Sequence, residues 1–450
     1  MFKSHTKGSV LNILIIAHER SLNKSEALIN AYYGNNIYLV IEQSPNQDTM
    51  HYVSKVSKVI INKRFNIIDI TSKLPNIDAV YCVSENLLPL QSQLESYYNI
   101  SNLSPFAAEV LSNKQLFDDF CRSNGLGEYV PNSITPTFHD QLNVFKNKEL
   151  FSKPDIGTGS NIFYPGDDHN NPSIEYRRWN NKHHFLKHLK DKGIHNEFFA
   201  LNKEGIHSSR FNYKPCRVMF QEYFWSTEPS ISPYGCIRDG KVNIAFYVKN
   251  SKIKYGDLLD PNSNPIESHS VSKSSDIVRE RAVWIETKEE VDPEIARHSL
   301  HFLQTLVDKL KIKNLLFAGP DFHIDDNNFI AIDFNPRMGQ FINILDRLNN
   351  NKVVKNMLAG NPIELNTTLL WGCAVLRPGK IKSIKNLDIV SKYFNMQNTM
   401  LTPGTVIPEF QNLQNKTFNI NLDILGNNQQ ELFDNYVKIN KLLQDCIVYE

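Results

Sequence analysis

Long apolar runs are missing from this chain of 450 residues. The first apolar run, Ile13 to Ala17, falls far short of the roughly 20 residues that a membrane span requires. It is also too short for the apolar centre of a secretory leader, and the residues before it are largely polar, so a protein that is neither exported nor membrane-bound is expected. Cysteine is sparse and scattered: Cys82, Cys121, Cys216, Cys236, Cys373 and Cys446 form no C-x-x-C pair. That excludes a zinc ribbon and argues against a disulfide framework, and a reducing cytoplasm fits best. An excess of one charge is absent too, since 49 Lys+Arg face 48 Asp+Glu and leave a formal balance of +1. Neither nucleic acid nor a membrane surface is therefore expected as a partner. No internal repeat or low-complexity segment stands out.

What is present is an alternation of short apolar runs with helical patterns. NILIIAH at residues 12–18 reads as a strand buried on both faces, and Leu22 to Tyr33 as the helix after it. Further runs at Ile37–Ile41, Lys58–Ile61 and Ala79–Val83, with a helical stretch at Leu88–Tyr98, predict an open, mostly parallel sheet up to about residue 100. The pattern is Rossmann-like, yet HERSLN stands where a G-x-G-x-x-G fingerprint would follow the first strand, which excludes a standard NAD site. A chain of this length exceeds one core, so several domains are expected. Later elements are a helix at Asn113–Asn124, strands at Leu150–Ser152 and Val218–Phe224, and a hairpin of Cys236–Ile237 with Val242–Val248. Ser251 to Arg281 is polar and without apolar periodicity, and reads as a long functional loop or insert. A long helix at Asp292–Lys311 precedes two strands, Leu315–Ile324 and Phe329–Phe334. The tail, Leu369 to Val448, reads as a small α+β appendage with one helix at Gln430–Leu443.

Three separated elements carry chemistry. Lys114 opens a helix. Lys153 ends a strand just before Gly157, Gly159 and Ser160. Lysine is a compact cation suited to phosphate oxygens, and glycines let backbone amides approach them closely, so together these make a phosphate site of ATP size. The third element is Asp321, Asp333, Asn335 and Arg337. Asp321 and Asp333 fall on adjacent antiparallel strands, and the period of two puts Asn335 and Arg337 on the face of Asp333. Two carboxylates and an amide oxygen are hard ligands that suit Mg²⁺ when phosphates fill its other positions. Each feature also has an ordinary use: a glycine pair in a turn, a surface lysine, a strand ended by proline. His184 and His188, four apart on a helical stretch, read as a solvated helix face because no third ligand is evident.

In this order the elements resemble the ATP-grasp superfamily, in particular its biotin-carboxylase-like and amino-acid-ligase branches. NKQLFDDFCRSNGLGEYVP resembles that family's lysine-helix-proline segment, FSKPDIGTGSNIF its lysine and glycine-loop segment, and AGPDFHIDDNNFIAIDFNPR its metal segment, with aspartates where glutamates are usual. VMFQEYF resembles the adenine-binding linker. The resemblance implies base contacts through Gln221, Glu222, Tyr223 and Phe224, and amino or ribose hydroxyl contacts at Glu222 and Glu228. It implies an α/β ATP-grasp fold with four parts: an N-terminal Rossmann-like domain (1–110), a small lid subdomain with the glycine loop (111–225), a large subdomain with the metal site (226–360) and a C-terminal α+β subdomain (361–450). It further implies ATP with Mg²⁺ or Mn²⁺, a small-molecule carboxylate and amine as substrates, and ligation through an acyl phosphate, with Arg337 as the catalytic cation. Two alternatives stay open, a biotin-carboxylase-like carboxylase and a nucleotide-binding protein without turnover. A homodimer stays open as well.

Overall fold

The computed structural model describes residues 10–47, 49–156, 177–205, 215–224, 226, 229–254, 277–325, 328–339, 341–365, 368–374, 376, 379–386, 388–391, 393, 402–407 and 420–450. Gly157, Gly159, Ser160 and Glu228 lie outside these residues.

The apolar run near the N-terminus is strand β1 (Asn12–Ile16), and Ile13 to Ile16 are fully buried. It lies between β2 (Asn36–Ile41) and β4 (Ala79–Cys82), both parallel to it, and β3 (Lys58–Ile61) completes the order β3-β2-β1-β4. Burial on both faces is what parallel sheets demand of their central strands, and it explains the unbroken apolar run. The helix expected over Leu22–Tyr33 begins differently: Glu19–Ser25 is a 3₁₀ turn, and α-helix covers Glu26–Ala31 only. Ser25 Oγ donates to the Leu22 carbonyl, and the tighter turn sets the chain for docking against a later helix.

A second sheet, order β5-β8-β6-β7, joins β5 (Ser133–Ile134), β6 (Leu150–Pro154), β7 (Arg177–Trp179) and β8 (Val218–Glu222), all antiparallel. Its core is aromatic, with Phe185 in contact with Trp179, Phe198 and Phe220 under helices Lys182–Asp191 and His195–Glu204.

The largest sheet uses β9 (Ser230–Arg238), β10 (Lys241–Lys254), β11 (Ile277–Glu286), β12 (Leu315–Asp325), β13 (Asn328–Asn335) and β14 (Thr368–Ala374). After β15 (Gly379–Ile384) and β16 (Val406–Ile407), β17 (Ile420–Gly426) closes it in the order β13-β12-β9-β10-β11-β14-β17, and β18 (Ile447–Tyr449) pairs with β15. Two expectations change here. The polar segment 251–281 is strand at both ends, with Lys249 to Lys254 running antiparallel to Ile277–Trp284. A strand ladder is held by backbone groups, so a segment poor in apolar alternation still pairs when a neighbouring edge is available. The tail is more than an appendage, because β14 and β17 extend the large sheet, with Leu369, Leu370, Leu422 and Ile424 fully buried.

Helix Pro293–Leu310 covers one face of the large sheet. Asp292 caps it by accepting from Glu294 N at 2.8 Å, proline stands in the first turn, and Phe302, Leu303, Leu306, Val307 and Leu310 face inward. The same apolar cluster holds Leu94, Leu103 and Phe117 from earlier in the chain, so the parallel sheet's helices, the lysine helix and the large sheet share one core. Among the described residues no helix is long and apolar enough to cross a membrane.

Candidate active site

The β12–β13 hairpin brings the acidic residues together. Asp321 stands directly opposite Asp333, and Ala318 opposite Asn335. Between these pairs β12 advances three residues and β13 two, so β12 carries a bulge containing Gly319 and Pro320. Proline has no amide to give to a ladder, and a bulge is where a strand tolerates that loss. Ser232 Oγ donates a short hydrogen bond to Asp321 Oδ1 from the neighbouring strand. Among the described residues no group of three or more His, Cys, Asp or Glu is placed to hold a metal. The candidate donor set expected from the sequence is two carboxylates and the Asn335 amide, all partly exposed. It fits a hard divalent ion that takes its remaining oxygens from phosphates and water, and it does not fit a soft metal that needs a closed nitrogen or sulfur cage.

Both lysines reach this hairpin from the smaller sheet's side. Asn113 caps helix Lys114–Ser123, its Oδ1 accepting from Leu116 N at 3.0 Å, and Lys114 N donates to the Asp155 carbonyl at 2.7 Å. Lys114 Nζ lies 3.8 Å from Asp333 Oδ1. Lys153, near the end of β6, is buried, and its Nζ makes a short hydrogen bond to the Ile332 carbonyl, next to Asp333. Burial pushes the Lys153 ammonium below its ordinary range, while Asp333 and Asp118 pull it back up. Asp118 sits one helical turn after Lys114, and burial lifts its carboxyl to about 6, with Lys153 the main opposing influence. Thirty-nine positions separate the lysines in the chain, yet both ammonium groups face Asp333.

Arg337 lies just past β13 and is buried. Its Nε donates to Glu85 Oε2 at 2.9 Å, Nη2 to Asn335 Oδ1 at 3.1 Å and Nη1 to the Met338 carbonyl at 3.2 Å. Burial opposes its charge, but Glu85, Tyr234 and Asp333 outweigh that and hold the guanidinium above its ordinary range. Gly339 has a packing reason: a Cβ there would stand 2.5 Å from the Tyr234 hydroxyl.

Strand β8 carries the remaining candidates. Gln221 is buried, and its Oε1 has no partner among the described residues. Glu222 N donates to the Asn132 carbonyl and Tyr223 N to the Glu149 carbonyl, each at 2.8 Å. With those two amides engaged, any contact there with a base falls to carbonyls or side chains. The Glu222 carboxylate takes a short hydrogen bond from Lys148 and one of 3.2 Å from Asn132 Nδ2. The Arg178 guanidinium covers the Tyr223 ring at 4.9 Å and pairs with Glu149 at 2.7 Å. Phe224 follows on the same segment and is partly exposed.

Sequence reasoning passed over Asp118, Ser232 and the partnership of Glu85 with Arg337. Asp118 had a signal, since i and i+4 share a helix face. Glu85 had a weaker one, its place just beyond the carboxyl end of a parallel strand. Ser232 had none, because its contact depends on the bulge and on strand order.

No family model matches the chain, and no curated protein matches it. Solved structures do. An L-amino acid ligase from Bacillus licheniformis superposes with a TM-score of 0.61 at 12% identity, over 98% of this chain and 100% of that one. N5-carboxyaminoimidazole synthetase from Staphylococcus aureus, complexed with ADP, gives 0.55 at 12% identity over 96% and 97%. Biotin carboxylase from Campylobacter jejuni, in a complex with an ATP analogue, gives 0.52 at 13% identity over 98% and 92%. The architecture common to these enzymes is the ATP-grasp fold, and this chain has it.

Proposed function

We propose that the protein is an ATP-dependent carboxylate-amine ligase that forms an amide or peptide bond on amino-acid or small-peptide substrates. The observation that carries this reading is the meeting of Lys114 and Lys153 on Asp333, opposite Asp321, with Arg337 close behind. The ADP in one structural neighbour and the ATP analogue in another support a nucleotide as the shared ligand.

Lys114 and Lys153 would hold the nucleotide's phosphate oxygens, and Asp321, Asp333 and Asn335 would hold Mg²⁺. The ion supplies charge neutralisation on the transferring phosphoryl group. The substrate carboxylate attacks the γ-phosphate in line, giving an acyl phosphate and ADP. The amine then attacks the acyl carbon and phosphate leaves. Arg337 is fixed in orientation by Glu85 and Asn335 and is suited to stabilise the oxyanion of that second step. Gln221 to Phe224 line the side where the base would rest, with Gln221 Oε1 as an acceptor in search of a donor.

The test is an ADP-release screen with Mg²⁺ over pairs of amino acids. The reading expects ADP and ligated product in equal amounts with at least one pair and no need for biotin. ADP release that requires bicarbonate and biotin would instead establish the carboxylase, and nucleotide binding without turnover would establish the non-catalytic alternative.

A further inference from the structure

The parallel sheet has a topological switch point of its own. From β1 the chain passes to β2 on one side, while β4 lies on the other, so the strand order reverses between β1 and β4. Segments leaving the carboxyl ends of such neighbouring strands diverge and open a ligand-sized gap. Glu85 stands in the segment after β4, and Arg337 reaches it from the large sheet. The segment after β1 is the 3₁₀ turn Glu19–Ser25, and it is pinned beside the same arginine. Asn343, in helix Phe341–Leu348 just after Arg337, donates from Nδ2 to the Asn23 carbonyl at 2.6 Å and accepts from Ala27 N at 3.0 Å.

Lys24 lies between those two anchors. It is half-buried, and its ammonium has no hydrogen-bond or ion-pair partner among the described residues. The charges acting on it are those of Arg337 and Glu85. Arg337 pairs with Glu85, whereas Lys24 is a partly desolvated cation with no such pair among the described residues, and a cation in that state selects an anion. Asp333 acts on Arg337 and does not figure among the charges acting on Lys24, so Lys24 is one step further from the metal hairpin. A carboxylate due to be phosphorylated belongs at the hairpin. An anion at Lys24 is a group that does not react.

We propose that Lys24 binds the non-reacting carboxylate of the amine-donating substrate, so that the donor is an α-amino acid or a comparable zwitterion. This rests on the ligase reading and adds the class of the second substrate and the residue that selects it. Burial, and Arg337 after it, lower the Lys24 ammonium to about 8, with Glu85 opposing, and an arriving carboxylate would supply a second opposing charge.

The experiment is a calorimetric titration of the full-length wild type, Lys24→Met and Lys24→Arg with three probe sets: the common amino acids, their carboxamides and their N-acetyl derivatives. Carboxamides lack the anion, and N-acetyl derivatives lack the donating amine. Wild type should prefer an amino acid to its carboxamide by roughly 10- to 100-fold, the size of one charge-assisted hydrogen bond. Lys24→Met should lose that preference and Lys24→Arg should keep it, while binding of N-acetyl derivatives stays the same in all three. The proposal is overturned if Lys24→Met keeps the preference, if wild type binds acid and amide equally, or if it binds neither. Equal weakening of the N-acetyl derivatives would also overturn it, because Lys24 would then serve the acid that is activated. No turnover is needed for this titration, so its failure is distinct from an absence of ADP release, which would sink the ligase reading itself.

Discussion

Replacing Asp118 by Asn tests whether its carboxyl is held protonated by burial beside Lys114 and Lys153. Burial raises the Asp118 carboxyl from 3.8 to about 6, with Lys153 and Ser133 opposing the rise. A carboxyl held above its unfolded value favours the folded state when it is protonated. Its contribution is full below 3.8 and is lost as pH rises through about 6. The difference between those two values corresponds to about 3 kcal/mol. Asparagine copies the protonated form and does not titrate. Urea midpoints followed by far-UV circular dichroism at intervals from pH 3 to 7 would therefore diverge, with wild type losing about 3 kcal/mol relative to Asp118→Asn. Titrations common to both proteins cancel in the comparison. Parallel pH profiles would show that Asp118 ionises in the fold as easily as in the unfolded chain, and the account of its surroundings would fail.

The other predictions concern the nucleotide, the second chemical step and the packing behind Arg337. Lys153→Ala removes a buried cation from beside Ile332 and Asp333, and should weaken ADP binding by roughly 10- to 100-fold. An unchanged dissociation constant in an equilibrium titration would remove Lys153 from the phosphate site. Arg337→Ala should lower coupled product by about 10²–10³ with a smaller loss of nucleotide affinity. The ratio of ligated product to ADP should fall as acyl phosphate leaks to water, whereas an unchanged ratio would assign Arg337 to the first step. Gly339→Ala drives a methyl group into the Tyr234 hydroxyl and should cost about 1–3 kcal/mol of stability in thermal or urea unfolding. Wild-type stability there would mean that the Tyr234 ring moves aside freely.

Much of the candidate site's geometry was legible because the residues proposed to carry it sit on strong local patterns. Asn113 before an amphipathic run marks a helix start, which fixed Lys114 at its first turn. Two strands joined by an Asp/Asn turn put Asp321 across from Asp333, and the structure pairs them directly. Parity arguments do not see the bulge at Gly319 and Pro320, which recruits Ser232 to Asp321. The 3₁₀ turn after β1 escaped for a similar reason: its geometry is set by Asn343, over three hundred positions away. The placing of β14 and β17 was out of reach too, since periodicity identifies a strand and says nothing of the sheet it joins.

The most direct measurement for the whole account is ADP formation by wild type and Asp333→Asn, side by side in saturating Mg²⁺ and ATP, over pairs of amino acids. Asp333 faces Lys114 at 3.8 Å and stands opposite Asp321, so losing its charge should remove ADP formation. Circular dichroism should show the fold intact. The account predicts amino-acid-dependent ADP release by wild type and none above background by the variant. Equal turnover by the two proteins would contradict it.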